Sequence, residues 1–465
     1  MKYIIFGTGD YYERYKKWFR QEDIVALIDN SPKKNNTTID GIEVLSPEQG
    51  VERTYDVIVI LSFYVKSMRQ QLLDLGVPEN KIYHFYELHR LLNRKDFHFP
   101  IQYYGDAKQI LDKWDRNNNK IVLMSQDLTL GGPAIALFHV AVALQNRGYQ
   151  VVYVSMLDGP LREKLLESNI SVLVDVNLQI ATMCEVEWIR KASLIVCSTI
   201  NYYVFLSERH VDIPIIWWLH DSQFFYDGVD KKVLRSIDFE RIKVVSVGKV
   251  PENAIRTIVP ELQVDHLLYG VEEANETYVQ TKENEKIIFT TIGYIEERKG
   301  QDILMDSIRY LPEAIRTQCE FWLVGQDTSL LAQRIKHDAE NMAEVVLKGT
   351  VDRETINQIL SKTDVLICPS REDPMPTVAA EAMMHSTMCL VSDATGTSEY
   401  IHHKEDGMVF RSENVSELAT DIAWCVQNKM KLQDMGKKAR KIYENMFSVD
   451  MFEKRLMEVI EEANE

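Results

Sequence analysis

Residues 364–384, DVLICPSREDPMPTVAAEAMM, decide the fold class of this chain. The segment opens as a short apolar run, DVLICPS, of the kind that fills a strand buried on both faces. The loop Arg371-Glu372-Asp373 follows. Pro374 stiffens the approach, and Pro376 then starts a helix, where a missing N–H removes no bond. Buried strand, polar loop and helix make up the repeating unit of a parallel α/β sheet. Two carboxylates bracket the turn: Asp373 lies in the loop, and Glu381 about one and a half turns into the helix. Between them the amides at Thr377 and Val378 have no intrahelical acceptor. Carboxylates accept from sugar hydroxyls, and free helix amides favour anions. A proline-started helix with incidental acids would have the same sequence.

The unit recurs in both directions. Around this stretch lie IIFTTIG, EFWLVG, EVVLKG and MCLVSD, then a helical tail from about Ser416, with that serine as N-cap, and a last amphipathic helix over 449–463. An earlier block carries KIVLMS, QVVYVSM, SVLVDV, LIVCS, IPIIWWLH and VVSVG. The first block carries YIIF, a helical stretch over about 10–20, IVALID, DVIVIL and KIYHF. The fold class read from this is α/β: a small doubly wound Rossmann-like domain over 1–94, a linker with one helix over 95–119 ending at Asn117-Asn118-Asn119, and two similar Rossmann-like domains, 120–275 and 276–448, facing across a cleft. The polar stretch ANETYVQTKENEK separates the last two, and a hinge for domain closure is expected near 276–285.

Composition narrows the function. The chain has 465 residues, 45% hydrophobic and 26% charged, and a net charge of −17, which argues against nucleic-acid binding and against broad adsorption to anionic membranes. No run approaches the roughly 18–20 apolar residues that span a bilayer. The apolar run at the N-terminus is too short for a signal peptide. Six scattered cysteines without a CxxC pair read as reduced thiols of a cytoplasmic protein. The histidines show no metal-ligand spacing, and His402-His403 reads as a solvated loop pair.

Three further motifs carry chemistry. Gly131-Gly132 ends a strand and opens a helix at Pro133, an arrangement that suits a diphosphate or another anion and equally suits a plain βα turn. His220, at the carboxyl end of IIWWLH, can meet a sugar hydroxyl or phosphate, carry a proton, or merely cap a strand. After the strand ending at Gly293, Arg298 and Lys299 sit at a loop-to-helix turn, where Lys299 can bind phosphate as a point charge. Trp217 and Trp218 read as core, whereas Phe224, Phe225 and Tyr226 could line an acceptor site with aromatic faces.

Taken as an ensemble these motifs resemble the GT-B retaining glycosyltransferases of group 4, also called glycosyl transferases group 1, over roughly 120–445. Asp373 and Glu381 hold the spacing of the family's paired acids, and LVGQD, LKGTVDRETINQILSKTDVLICPS and SDATGTSEYI follow its order. The resemblance implies a donor-binding domain at 276–448, an acceptor domain at 120–275, and a helix at 449–465 packing back on the N-terminal half. It implies metal-independent transfer of a hexose, with retention, from a nucleotide diphosphate sugar, here a UDP-sugar, with no cofactor. Acceptors would be a glycan, a lipid-linked sugar or a glycoprotein in bacterial surface polysaccharide or glycoconjugate synthesis. By the same resemblance Lys299 and Arg298 face the diphosphate, Glu381 holds the ribose, Asp373 grips the transferred sugar beside His220, and Val351 reads the base by its backbone. Two departures stand out: the first acid is Asp rather than Glu, and Tyr294 replaces an arginine. They keep open a catalytically inactive GT-B partner or chaperone, and a nucleotide-sugar epimerase is a further alternative.

In the first block, Gly7, Gly9 and Asp29 partly match a dinucleotide fingerprint, but Tyr12 fills the third glycine position. The block resembles the Rossmann-like domain attached to sugar-modifying enzymes. A docking or homo-oligomerisation module and a bound nucleotide are the readings it allows; for the protein as a whole, a peripheral attachment to the inner membrane face or to a protein partner stays open.

Overall fold

The computed structural model describes residues 1–62, 64–93, 96–114, 119–274, 285–326 and 329–465. Nearly all of the polar stretch expected to hinge, and Asn117-Asn118, lie outside these described residues. Three sheets succeed one another along the chain. The first holds β1 (Tyr3–Phe6), β2 (Ile24–Ile28), β3 (Thr37–Ile39), β4 (Ile42–Leu45), β5 (Val57–Ile60) and β6 (Ile82–His84), in the order β3-β4-β2-β1-β5-β6. All its pairings are parallel except that of β3 with β4. That hairpin is absent from the sequence reading, though its signal is local. Ile39 pairs with Ile42, and Asp40 and Gly41 between them both have positive φ, as a two-residue hairpin turn requires.

The second sheet holds β7 (Gln102–Tyr104), β8 (Lys120–Asp127), β9 (Gln150–Leu157), β10 (Ser171–Val174), β11 (Leu194–Ser198), β12 (Ile215–Leu219), β13 (Ile242–Ser246) and β14 (Asp265–His266), in the order β14-β13-β12-β11-β8-β9-β10-β7. The expected linker is therefore more than a connector. It supplies the helix Ala107–Lys113 and also β7, an edge strand antiparallel to β10. β7 has no alternating pattern to announce it, because Gln102 and Tyr103 face solvent.

The third sheet holds β15 (Ile287–Ile292), β16 (Cys319–Val324), β17 (Val345–Gly349), β18 (Val365–Cys368), β19 (Met388–Ser392) and β20 (Met408–Phe410). Its order is β17-β16-β15-β18-β19-β20, and the recorded pairings are parallel. The direction of winding reverses between β15 and β18, so their carboxyl ends form the switch point where such sheets bind ligands. One face packs Phe289, Phe321, Leu323 and Ile367 under the flanking helices, and Trp322, Val324 and Ile288 fill the other.

Contacts divide the chain into two units, Met1–Trp217 with Gln223–Lys243 and Ile255–Leu262, and Trp218–Ser222 with Val244–Ala254 and Gln263–Glu465. These bounds differ from a cut at 275, for a physical reason. Val271 N–H donates to Phe447 O at 2.8 Å, Tyr443 Oη donates to Val271 O at 2.9 Å, and Trp218 stacks on Phe452, so 263–274 is tied to the C-terminal tail. Within the first unit the N-terminal sheet is locked to residues of the linker and the second sheet. Trp18 Nε1 donates to Gln179 Oε1 at 2.5 Å, its ring meets Phe99 edge-on at 4.8 Å, and Tyr203 Oη donates to Tyr86 O at 2.9 Å. Trp217 and Trp218 are fully buried, as their apolar strand requires. Among the described residues no helix is long and apolar enough to cross a membrane.

Some helix starts differ from expectation by a residue or two. Asn414, not Ser416, caps the helix Val415–Gln427, accepting from Glu417 N–H at 3.1 Å. Pro376 is the N-cap of Thr377–Met384 rather than its first helical residue. Within Val415–Gln427, Asp421 is buried and its Oδ2 has no hydrogen-bond partner among the described residues. Burial pushes its carboxyl up to about 6, against the pull of His403 and Lys404. The folded state thus holds this proton to higher pH than the unfolded chain does, so stability from this group is lost as pH rises from about 4 to about 6. We expect Asp421→Asn to stabilise the protein by about 1–2 kcal/mol near neutral pH, once solvent screening is allowed for. The gain should shrink to nothing below about pH 4, as chemical denaturation across pH will show.

Candidate functional site

The site is built from two loops at the switch point. After β15, Gly293 donates its N–H to Val324 O at 2.9 Å, and the chain then makes a tight turn over Glu297–Lys299. Gly300 ends that turn in the left-handed region at φ +68°, and a Cβ there would lie 2.0 Å from Pro369 O. Only glycine allows this approach, which seats the turn on the loop after β18. The two loops then clasp each other. Arg371 N–H donates to Arg298 O at 2.8 Å, Arg371 Nη1 to Glu297 O at 2.6 Å, and Arg298 Nη1 to Glu372 O at 3.2 Å. Arg371 also forks onto both oxygens of Asp302, at 2.9 and 2.8 Å. Burial would raise the Asp302 carboxyl, but the fork outweighs it and holds the group below the usual carboxylate range.

The clasp brings Lys299 Nζ to 2.6 Å from Asp373 Oδ2, joining two residues 74 positions apart. Asp373 is held from behind as well: its N–H donates to Ala394 O at 3.1 Å, and its carbonyl accepts from Gly396 N–H at 2.9 Å. The Lys299 stem runs past Gly293, within 3.9 Å of where a Cβ would stand. Arg298, expected at the phosphate, is committed to the clasp and to Glu296 Oε1 at 2.9 Å. The helix Thr377–Met384 begins directly after this loop with no side-chain cap, so the amides of Thr377 and Val378 open it unblocked by a side chain. Its Glu381 is buried and accepts from Arg353 Nη1 at 2.6 Å. Val351, just after β17, packs its side chain with Trp322 and Ile359.

His220 lies in the same unit, at the end of β12. Its ring stacks on Tyr269 at 5.6 Å, and Nδ1 is 3.2 Å from Tyr269 Oη. Its Nε2 is buried and has no hydrogen-bond partner among the described residues. Burial lowers the imidazole to about 3, so the ring is neutral at physiological pH and can donate or accept a hydrogen bond but does not serve as a cation. Of the roles open to it in the sequence, a hydrogen bond to a sugar hydroxyl or phosphate from a neutral ring agrees with this burial. Burial, then Asp373 and Asp221, push the Tyr269 phenol up, which places Tyr269 within electrostatic reach of Asp373. Sequence reasoning missed Tyr269 and Arg353. Tyr269 stands in no quoted motif, Arg353 stands unmarked inside LKGTVDRETINQILSKTDVLICPS, and each finds its partner only through the fold.

Gly131-Gly132 belongs to the other unit. Gly131 is the N-cap and Gly132 the first residue of the helix Gly132–Asn146, again with no side-chain cap and with space where a Cβ of Gly132 would be. Among the described residues no group of three His, Cys, Asp or Glu side chains is arranged to hold a metal.

Comparison with known proteins agrees with this geometry. Residues 273–442 match the family described as Glycosyl transferases group 1, residues 117–246 match Glycosyl-transferase family 4, and residues 1–83 match C2185-like, N-terminal. An uncharacterised glycosyltransferase of Methanocaldococcus jannaschii is 27% identical over 280 residues, 55% of this chain and 69% of that protein. An uncharacterised 41.2 kDa protein in the cps region of Klebsiella pneumoniae is 25% identical over 171 residues, a match that spans only 45% of its length and 36% of this chain. Among solved structures, Anabaena HepE in complex with UDP and glucose superposes with a TM-score of 0.60 at 18% identity, over 73% of this chain and 99% of that one. Sucrose-phosphate synthase of Thermosynechococcus elongatus gives 0.59 at 18%, over 74% and 98%. At such identities the likeness is one of fold, the GT-B arrangement of parallel Rossmann-like sheets. Two glycosyltransferase models are thus matched in sequence along that fold, over residues 117–246 and 273–442, and they support a group 1 glycosyltransferase.

Proposed function

We propose that the chain is a metal-independent, retaining hexosyltransferase that uses a nucleotide diphosphate sugar, with UDP as the nucleotide. The acceptor would be a glycan, a lipid-linked sugar or a glycoprotein of bacterial surface polysaccharide or glycoconjugate synthesis, met at the cytoplasmic side of the membrane. One observation carries the reading: the Lys299–Asp373 pair stands at a sheet switch point beside an uncapped helix start. The UDP and UDP-glucose complexes of Anabaena HepE support the choice of donor.

In this reading the diphosphate lies on Lys299 and on the amides of Thr377 and Val378, which stabilise the negative charge that builds on the leaving group. Asp373, released from Lys299, accepts from a hydroxyl of the transferred sugar. Glu381 accepts from the ribose hydroxyls while Arg353 holds its carboxylate in place. Neutral His220 offers Nε2 to the sugar. Gly293 and the backbone at Val351 bound the nucleotide, and Gly131-Gly132 serves the acceptor or its phosphate. The transferred sugar keeps its anomeric configuration. A catalytically inactive partner of another transferase is the competing reading. Tyr294, 64% exposed, favours it, because it brings no charge to the phosphate site.

Lys299→Ala and Glu381→Ala should each lower transfer or donor hydrolysis by at least about 10²-fold. Circular dichroism should stay native in both. Activity near wild type in both variants would overturn the site, and no donor binding across a panel of nucleotide sugars would favour the inactive partner. A second expectation concerns pH. With His220 neutral above about pH 4, kcat/KM should show no His220 ionisation between about pH 5 and 8, and His220→Gln should leave the shape of the profile unchanged. An inflection near 6.5 that disappears in His220→Gln would contradict the neutral ring.

A further inference from the structure

The first unit contains a cavity of about 340 Å³, lined by none of the donor-site residues. One wall is the helix Val65–Asp74 with 84–86 of the N-terminal sheet, and the other is 224–231. Its volume falls within the roughly 300–1,000 Å³ of pockets that hold small ligands. The walls are fixed to each other. Arg90 Nη1 bridges Glu87 at 2.9 Å and Asp230 at 3.6 Å, and Tyr203 Oη holds Tyr86 O. Gly228 lies flat on Tyr86, where a Cβ would come within 2.7 Å of the ring.

The lining combines three kinds of group. Lys66, Arg69 and Lys231 bring positive charge into a chain of net charge −17. Lys66 is held only loosely, 3.8 Å from Asp227, and Arg69 lies 3.4 Å from Glu79. Phe224 and Phe225, set at 90° to each other, supply aromatic faces. Asp227 and Glu79 supply acceptors. A site for a bare phosphate has no use for the acids, and a site for a neutral apolar group has no use for the cations. A ring that bears hydroxyls, C–H faces and one negative group uses all three.

We propose that this pocket binds an anionic pyranose of the acceptor, a sugar bearing a carboxylate or a phosphate, so that the N-terminal domain contributes directly to acceptor recognition. The acceptor role rests on the reading of the chain as a transferase, whereas the pocket chemistry does not. Ligand-observed NMR titration of the full chain with D-glucuronate, D-glucose 6-phosphate, D-glucose and UMP tests it. At least one of the two anionic sugars should bind about tenfold or more tightly than glucose and UMP, and which one does identifies the anion. The double variant Lys66→Ala/Lys231→Ala should weaken that binding about tenfold while leaving UDP affinity unchanged. Lys299→Ala should do the reverse, losing UDP and keeping the anionic sugar, so a failure of the donor site and a failure of this pocket read differently. Absence of binding by both anions, equal binding of glucose, preference for UMP, or an unchanged affinity in the double variant would each overturn the proposal.

Discussion

A lysine ammonium and an aspartate carboxylate lie 2.6 Å apart where the third sheet reverses its winding. Neither side chain could hold that position alone. Lys299 ends a three-residue turn, and Asp373 sits in a loop between two prolines. The pair exists because Gly300 lets the first loop rest on Pro369 O, and because Arg298 and Arg371 each reach across to the other loop's carbonyls. A lysine left without its acid, or an acid without its lysine, would be a poorly compensated charge in a largely buried place, and that is costly. The clasp thus keeps two opposite charges matched.

The ladder of strands was legible because buried parallel strands are continuous apolar runs and leave little room for another reading. The departures fall where tertiary context decides. β7 and β20 are three residues each, too short for a period to appear. The β3–β4 hairpin carries its own Asp-Gly signal, hidden in a polar stretch. Asp373, Glu381 and Lys299 could be picked out from loop position and spacing. Their partners could not: Arg353 lies 28 positions from Glu381, and Tyr269 lies 49 from His220. The protonation of His220 was equally hidden, since it depends on complete burial between aromatic rings and not on any neighbour in sequence.

The N-terminal domain obeys the same logic. From sequence it is a separable module, and its Gly7-Thr8-Gly9 turn suggests a nucleotide. In the structure Asp29, the acid a ribose would need, is already taken: it accepts from Thr8 N–H at 3.1 Å and from Thr8 Oγ1, and it pairs with Lys34 at 3.1 Å. Those bonds hold its carboxyl below the usual range against the effect of burial. The cavity of this unit lies on other elements, where the helix Val65–Asp74 and 84–86 meet 224–231.

The acid at 373 is one methylene shorter than the glutamate of the family pattern, and the backbone fixes where it stands. A carboxylate one methylene closer to its own Cα reaches a given point only if the loop is nearer to it. Here Asp373 forms a parallel bridge with Thr395, and its N–H and C=O are both bonded to 394–396. That loop comes directly after β19, so the acid's main chain is referenced to the sheet itself rather than to a mobile tip. From there an aspartate already reaches Lys299 at hydrogen-bond distance. A glutamate on the same backbone would have to fold back or displace the lysine. The shorter residue thus meets Lys299 from this loop without folding back.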